Sequence, residues 1–361
     1  MADGDPYASF GGVLREDASP LDLRFLRLAF RGTASPTFHP KLEPHQLPTG
    51  AICFEFIDSY AFNAVAFLSD NDEYVGINHG VLHIFTLFSC LFMADSAVFP
   101  TFGNEPRRQK FVGREYLSNP ERFRLGECDV DEPSDPIRAQ ASTRLNLLAY
   151  TYLLHHELGH IAKCHIPFLV GESGVRAYHE LEHSRISHED CRIRRALELD
   201  ADSAGFDLSL RLFENYMKEG AHADIRADNY IELWSASLTL LFRIMAMLEL
   251  GHARSLRPST HPSPEVRLLH GVAVVTGMAQ HPEAARVDRK RVFAGMKEVD
   301  RWWKRNDLPS PVPLKLRLST LQEEFDEVWA VGQEIQPQLH NLQIDRKNRL
   351  WSQFSTEAQR S

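Results

Sequence analysis

The hydrophobic positions of this chain change period several times, and each change marks an element. Between residues 51 and 78 they alternate with polar ones in AICFEFIDS and AFNAVAF, and the turn-like SDNDE separates the second run from EYVGIN. Alternation with period two puts every other side chain on one face, so three short strands are predicted, the last two as a hairpin. From 81 to about 94 the run turns apolar and helical. A longer helix is predicted over about 142–164, with Pro167 as its stop because proline cannot continue the hydrogen-bond ladder. Further helices follow over about 188–216 and 230–250. The latter carries Trp234, Leu238, Leu241, Met245 and Leu248 in one stripe. The proline-punctuated PSTHPSPE leads into another helix from Glu265, and from about Pro282 the chain is helical and charged.

The segments between these elements are polar. Residues 1–48, rich in Pro, Gly and Asp, predict a loosely organised arm with one amphipathic piece at 21–30. Residues 100–138 predict a surface excursion, and 166–190 a polar insert rich in His and Glu. The expected fold is α+β, mostly helical, with a small sheet. It divides into the arm (1–48), a main domain (49–280) and a helical extension (281–361), with no internal repeat.

Composition narrows the classes. At 361 residues the chain can bury a substantial core without external staples. A net charge of −9, with no long run of one sign, argues against nucleic acid as a partner, since such binders concentrate basic residues on one face. Two stretches invite a membrane reading. Residues 81–94 are short and contain His83, while 231–250 carry Glu232, Arg243 and Glu249. Spanning a bilayer takes about 20 mainly apolar residues, so both are read as buried helices and no convincing span remains. Five scattered cysteines (Cys53, Cys90, Cys128, Cys164 and Cys191) without a paired motif fit reduced thiols, and MADGDPYASF lacks the apolar segment of a secretory signal. A cytoplasmic location is the expectation.

Candidate chemistry lies in three segments. His156-Glu157-Leu158-Gly159-His160 is the pattern H-E-x-x-H inside a strongly helical stretch. Helical residues four apart differ by about 40° in angle and about 6 Å in height, so two imidazoles so placed can converge on one zinc ion. Glu157 lies about 100° further round, off the ligand face but suited to deprotonating a water beside the metal. Glu198-Leu199-Asp200-Ala201-Asp202 offers a third ligand in Glu198, and Asp202 one turn later can accept from a ligand histidine. Read alone, that segment fits an acidic solvated face equally well. In Thr260-His261-Pro262-Ser263-Pro264-Glu265-Val266-Arg267, a His or Arg near the metal could stabilise an oxyanion, although by itself the segment is more simply a proline-rich helix start.

In order, these pieces resemble the gluzincin peptidases of the HtpX and CaaX-prenyl-protease type. Asn63-Ala64-Val65-Ala66-Phe67, Tyr74-Val75-Gly76-Ile77 and Gly80-Val81-Leu82 look like the family's hairpin and following helix. HELGH at 156–160, ELDAD at 198–202 and THPSPEVR at 260–267 then follow in the family's order, over roughly residues 50–275. The resemblance implies a zincin-like fold and one Zn2+ per chain, held by His156, His160 and Glu198, with Glu157 as general base and Asp202 as a ligand's partner. It further implies that His261 and Arg267 lie near the active site, His261 as the transition-state donor. The strand at Asn63, Ala64, Val65 and Ala66 would present an edge to which an extended protein or peptide substrate adds by main-chain hydrogen bonds. The expected activity is that of a zinc endopeptidase. Many relatives are embedded in membranes, a trait that does not carry over here. The alternative is a latent or non-catalytic, zinc-stabilised peptide-binding protein; the intact Glu157 counts against the non-catalytic form.

Other residues read as structural. His155 points about 100° from His156 and is expected on the helix surface. Cys164, His165 and Cys191 lack the paired spacing of a second, soft metal site. His179, His183 and His188 fall in the polar insert, and Trp302 and Trp303 are expected to pack.

Overall fold

The computed structural model describes residues 5–15, 52–69, 72–104, 132–173, 177–179, 187–218, 229–252, 260–277, 287–309 and 318–358. The predicted piece at 21–30, the body of the 100–138 excursion and residues 174–176 and 180–186 of the 166–190 insert, His183 included, lie outside these residues.

Three of the strands are those the alternation predicts: β1 (Cys53–Ile57), β2 (Ala64–Ser69) and β3 (Asp72–Asn78). β2 and β3 form the hairpin, with Ala64 opposite Ile77 and Ser69 opposite Asp72. β1 joins the other side of β3 in parallel, with Cys53 opposite Tyr74. A short fourth strand, β4 (Ala177–His179), runs antiparallel to β2 with Val65 opposite His179, giving the order β1-β3-β2-β4.

One face of the sheet (Phe54, Phe56, Ala64, Ala66, Val75 and Ile77) enters the main core. The other, through Ile57, Val65 and Phe67, is covered by Tyr7 and Phe10. The same N-terminal segment lines the outer edge of β1: the Leu14 N–H donates to the Phe56 carbonyl (2.7 Å), and the Asp58 N–H to that of Gly12 (2.9 Å). Residues 5–15 of the arm are therefore built into the sheet. The expectation of a free substrate edge at Ala64, Val65 and Ala66 is corrected, because β4 already pairs with residues 65–67 of β2. Asn63 precedes the strand, and its carbonyl accepts from the Asn78 N–H (3.0 Å). Three residues are too few to show a period of two, which is why β4 has no signature within the polar insert.

The rest is helical: α1 (His79–Met93), α2 (Pro136–Ala162), α3 (His165–Ser173), α4 (His188–Lys218), α5 (Tyr230–His252), α6 (Pro264–Val275), α7 (Arg289–Arg305) and α8 (Leu318–Ala358). α2 starts earlier than predicted because Asp135 accepts from the N–H groups of Ile137 and Arg138, and Pro136 occupies the first turn, where its missing N–H is not needed. It also ends earlier. Cys164 takes a left-handed backbone (φ 61°), which turns the chain, and Pro167 opens α3 instead of stopping α2.

α2 runs antiparallel to α1. The Tyr150 hydroxyl donates to the Leu82 carbonyl (3.0 Å), and the buried Arg138 guanidinium donates to the carbonyls of Met93, the last residue of α1 (3.0 Å), and of Val98 in the turn beyond it. α5 is long and apolar enough to cross a membrane by length and composition, yet 83% of that window is buried within the protein. Trp302 and Trp303 of α7 pack on Phe88 and Phe92 of α1. α8 contributes Leu321, Val328, Val331, Ile335 and Leu339 to the same core. The C-terminal helices are thus continuous with the main body.

Candidate metal centre

α2 and α4 meet along a seam of small residues. A Cβ on Gly159 would lie 3.1 Å from that of Ala204 and 3.2 Å from the Ala201 carbonyl, and one on Gly205 would lie 2.8 Å from the Tyr152 ring. At the packing density of a protein interior, a side chain at either position would push the two helices or the Tyr152 ring aside, so glycine permits this close separation. That separation brings Glu198 and Asp202 of α4 against His156 and His160 of α2.

Three side chains converge there, all fully buried. His156 Nε2 lies 3.1 Å from His160 Nε2 and 3.4 Å from Glu198 Oε2, and His160 Nε2 lies 3.4 Å from Glu198 Oε1. Tetrahedral ligands each about 2.0–2.1 Å from one ion stand about 3.3–3.4 Å apart, so the triangle has the dimensions of a metal site. Neither oxygen of Glu198 accepts a hydrogen bond of good geometry, as suits a carboxylate reserved for an ion. The group can hold a metal ion. Burial, with His156 beside it, pushes the pKa of His160 down to about 3, which keeps its nitrogen lone pair available.

Each histidine is supported from behind. His156 Nδ1 lies 3.0 Å from Asp202 Oδ1. The Arg267 guanidinium donates to Asp202 twice, from Nε (2.9 Å) and from a terminal nitrogen (2.8 Å), and the Tyr152 hydroxyl donates at 2.6 Å. Arg267 also comes within 3.2 Å of Glu198. Burial alone would raise the two carboxyls. For Glu198, His261, Arg267 and His156 outweigh it and hold the group well below the usual carboxylate range; for Asp202, Arg267 and His156 do the same. Arg267, expected near the active site, bridges Asp202 and Glu198.

His160 is supported differently. Its Nδ1 lies 3.0 Å from His165 Nδ1, and His165 Nε2 lies 3.1 Å from Asp200 Oδ2. The Lys163 ammonium donates to Asp200 Oδ1 (2.7 Å) and to the Asp200 carbonyl (2.8 Å). Sequence reasoning missed His165 as a partner because five positions from His160 is not a same-face spacing. The turn at Cys164 returns it to the site.

Glu157 is buried on α2 between the two ligands. His261 arrives from the loop before α6, with Nε2 3.5 Å from Glu198 Oε1 and Nδ1 in a 2.9 Å hydrogen bond with the Thr260 hydroxyl. Glu324 of α8 fixes that loop, accepting from the Ser263 N–H (2.7 Å), the Ser263 hydroxyl (2.7 Å) and Arg195 (2.7 Å). His155 is buried rather than on the surface, its Nδ1 hydrogen-bonded to the Thr151 carbonyl at 2.8 Å. Cys164 and Cys191 are buried, in no disulfide, and outside the metal group, which is the one such cluster of three among the described residues. Comparison with protein-family models, curated proteins and solved structures returned no match to the chain.

Proposed function

We propose that this chain is a zinc metalloendopeptidase of gluzincin type with a zincin-like fold, acting on extended or unfolded protein segments. The observation that carries the reading is the buried triangle of His156, His160 and Glu198 with Glu157 on the same helix. Two imidazoles and a carboxylate suit zinc, and three protein ligands leave a fourth position, as hydrolytic sites require. His156, His160 and Glu198 would hold the zinc, which when bound would supply Lewis acidity, lowering the pKa of a water to about 7 and polarising a carbonyl. Glu157 takes the proton of the attacking water and delivers it to the leaving amine. His261, facing Glu198, supplies a hydrogen bond to the developing oxyanion, worth about 2.7–4 kcal/mol for a well-aimed donor. Asp202, with Arg267 behind it, holds His156 with Nε2 towards the centre.

A latent enzyme is the second reading, favoured by β4, which lies along the strand edge an extended substrate would use. Both readings are tested by metal analysis and casein cleavage on wild type and Glu157→Gln. The proposal expects about one zinc per chain in each and cleavage by wild type alone. Zinc in both with cleavage by neither favours latency. Wild type without stoichiometric metal overturns the proposal.

A further inference from the structure

His261 reaches the centre on a stiff stretch of chain. Pro262 and Pro264 each hold φ near about −65°, and each confines the residue before it, His261 and Ser263, to extended backbone. Ser263 has that conformation (φ −56°, ψ 142°). With so few soft dihedrals between the two residues, whatever holds Ser263 also sets where the His261 side chain begins.

Ser263 is held by Glu324. Its hydroxyl accepts from the Val266 N–H (3.4 Å), which caps α6, and gives its own proton to Glu324 Oε2 (2.7 Å). Its N–H donates to Oε1 (2.7 Å), which also accepts from Arg195 (2.7 Å), one turn before Glu198 on α4. One carboxylate thus spans the supports of two groups that face each other in the centre, His261 and Glu198, 3.5 Å apart. Glu324 and Arg195 are 20% and 19% exposed, so water screens the pair less than it would a surface salt bridge. The junction continues at the next residue: Phe325 packs on His270 of α6 (5.8 Å), whose Nε2 lies 2.8 Å from the Ser203 hydroxyl of α4.

We propose that Glu324 is the positioning residue for His261: from α8, beyond the last motif of the sequence, it fixes His261 against the helix that carries Glu198 and so sets the turnover of the site. The inference rests on the reading of His261 as the oxyanion donor of a zinc peptidase. A donor of this kind meets its partner only in the transition state, so misplacing it by about 1 Å can cost about 100-fold in rate with little effect on substrate binding.

The test uses full-length, zinc-loaded wild type, Glu324→Ala, Glu324→Gln, His261→Ala and the double variant Glu324→Ala/His261→Ala, with kcat and KM read on a quenched-fluorescent, casein-derived peptide. Glu324→Ala should lower kcat by about 10–100-fold, with KM within about 3-fold of wild type and zinc content unchanged. Glu324→Gln, whose amide oxygen can still accept from the Ser263 N–H, should lose less. In the His261→Ala background, removing Glu324 should cost no more than about 2-fold further, because residues acting as one unit are not additive. Wild-type turnover in Glu324→Ala overturns the proposal, and so does an equal loss in both backgrounds, which would mark a role in packing only. Ring NMR on histidine-labelled protein gives a readout independent of cleavage. The His261 signals, identified by their loss in His261→Ala, should shift or broaden in Glu324→Ala, while those of His79 and His83 on α1 stay in place. Unmoved His261 signals overturn the proposal. The expected NMR response in a wild type that cleaves nothing would instead overturn the peptidase reading and leave the positioning of His261 standing.

Discussion

Arg267 offers the sharpest test of how the site is held together. It is 1% exposed and touches two fully buried carboxylates, Asp202 at 2.8 and 2.9 Å and Glu198 at 3.2 Å. Arg267→Met keeps most of the side-chain volume and removes the charge. At an effective dielectric constant of about 20, unit charges about 3–4 Å apart attract by about 4–6 kcal/mol. Part of this returns because the cation no longer has to be desolvated. What remains is the penalty of two buried anions without their partner, about 3–5 kcal/mol. The metal-free protein should show that loss in urea unfolding, followed by the fluorescence of the buried Trp234, Trp302 and Trp303. Saturating zinc should shrink it, because the ion supplies positive charge beside Glu198. In a double-mutant cycle with Asp202→Asn, which neutralises the second partner, the coupling should be at least about 2 kcal/mol. A loss below about 1 kcal/mol in Arg267→Met, or additivity in the cycle, would refute the clamp as the source of stability here.

Two other outcomes follow from packing and protonation away from the ligands. A methyl on Gly271 would stand 2.2 Å from the Phe206 ring, which is itself stacked on Phe242, so Gly271→Ala should cost about 1–3 kcal/mol in urea unfolding. An unchanged midpoint would mean that Phe206 has room to move. Burial, with His79 beside it, pushes the pKa of His83 down to about 3, against about 6.5 for an unperturbed imidazole. Between those values the unfolded chain binds the extra proton, so His83 makes stability fall as pH falls from about 6.5 towards 3, by up to about 1.4 kcal/mol per pH unit. Above pH 7 it adds no slope. His83→Gln should therefore flatten the stability profile between pH 6 and 4 and leave it parallel to wild type above 7, and an unchanged acid slope would disprove the assignment.

The parts of this structure that are legible in the sequence are those with a period or a fixed spacing. The β2–β3 hairpin follows from alternation, and α5 from its stripe at helical spacing. The convergence of His156, His160 and Glu198 is readable because an i, i+4 pair has one geometry on a helix. What stays hidden depends on non-local contact. No pattern in CFEFI tells that β1 runs parallel to β3 rather than extending a meander, since parallel and antiparallel partners ask the same of a short strand. Pro167 reads as a stop although proline is equally at home in a first turn, and the decision lies in the backbone of Cys164. Arg267 falls near the site as expected, and there it braces two carboxylates. Its distance in sequence from Asp202 conceals that both arms of its fork are engaged there. The clamp from Glu324 to Ser263 lies in a segment with no recognisable motif.

β4 reaches β2 from the stretch of chain between α3 and α4, the helices that carry His165 and Glu198. Any extended segment that is to pair with β2 must compete with a strand delivered to that edge by covalent attachment. For a tether of ordinary length such a strand acts at an effective concentration in the millimolar range. A dilute peptide offering only the same three residue pairs would therefore lose the competition. A longer unfolded chain, able to pair beyond residues 65–67, would gain register with every added residue.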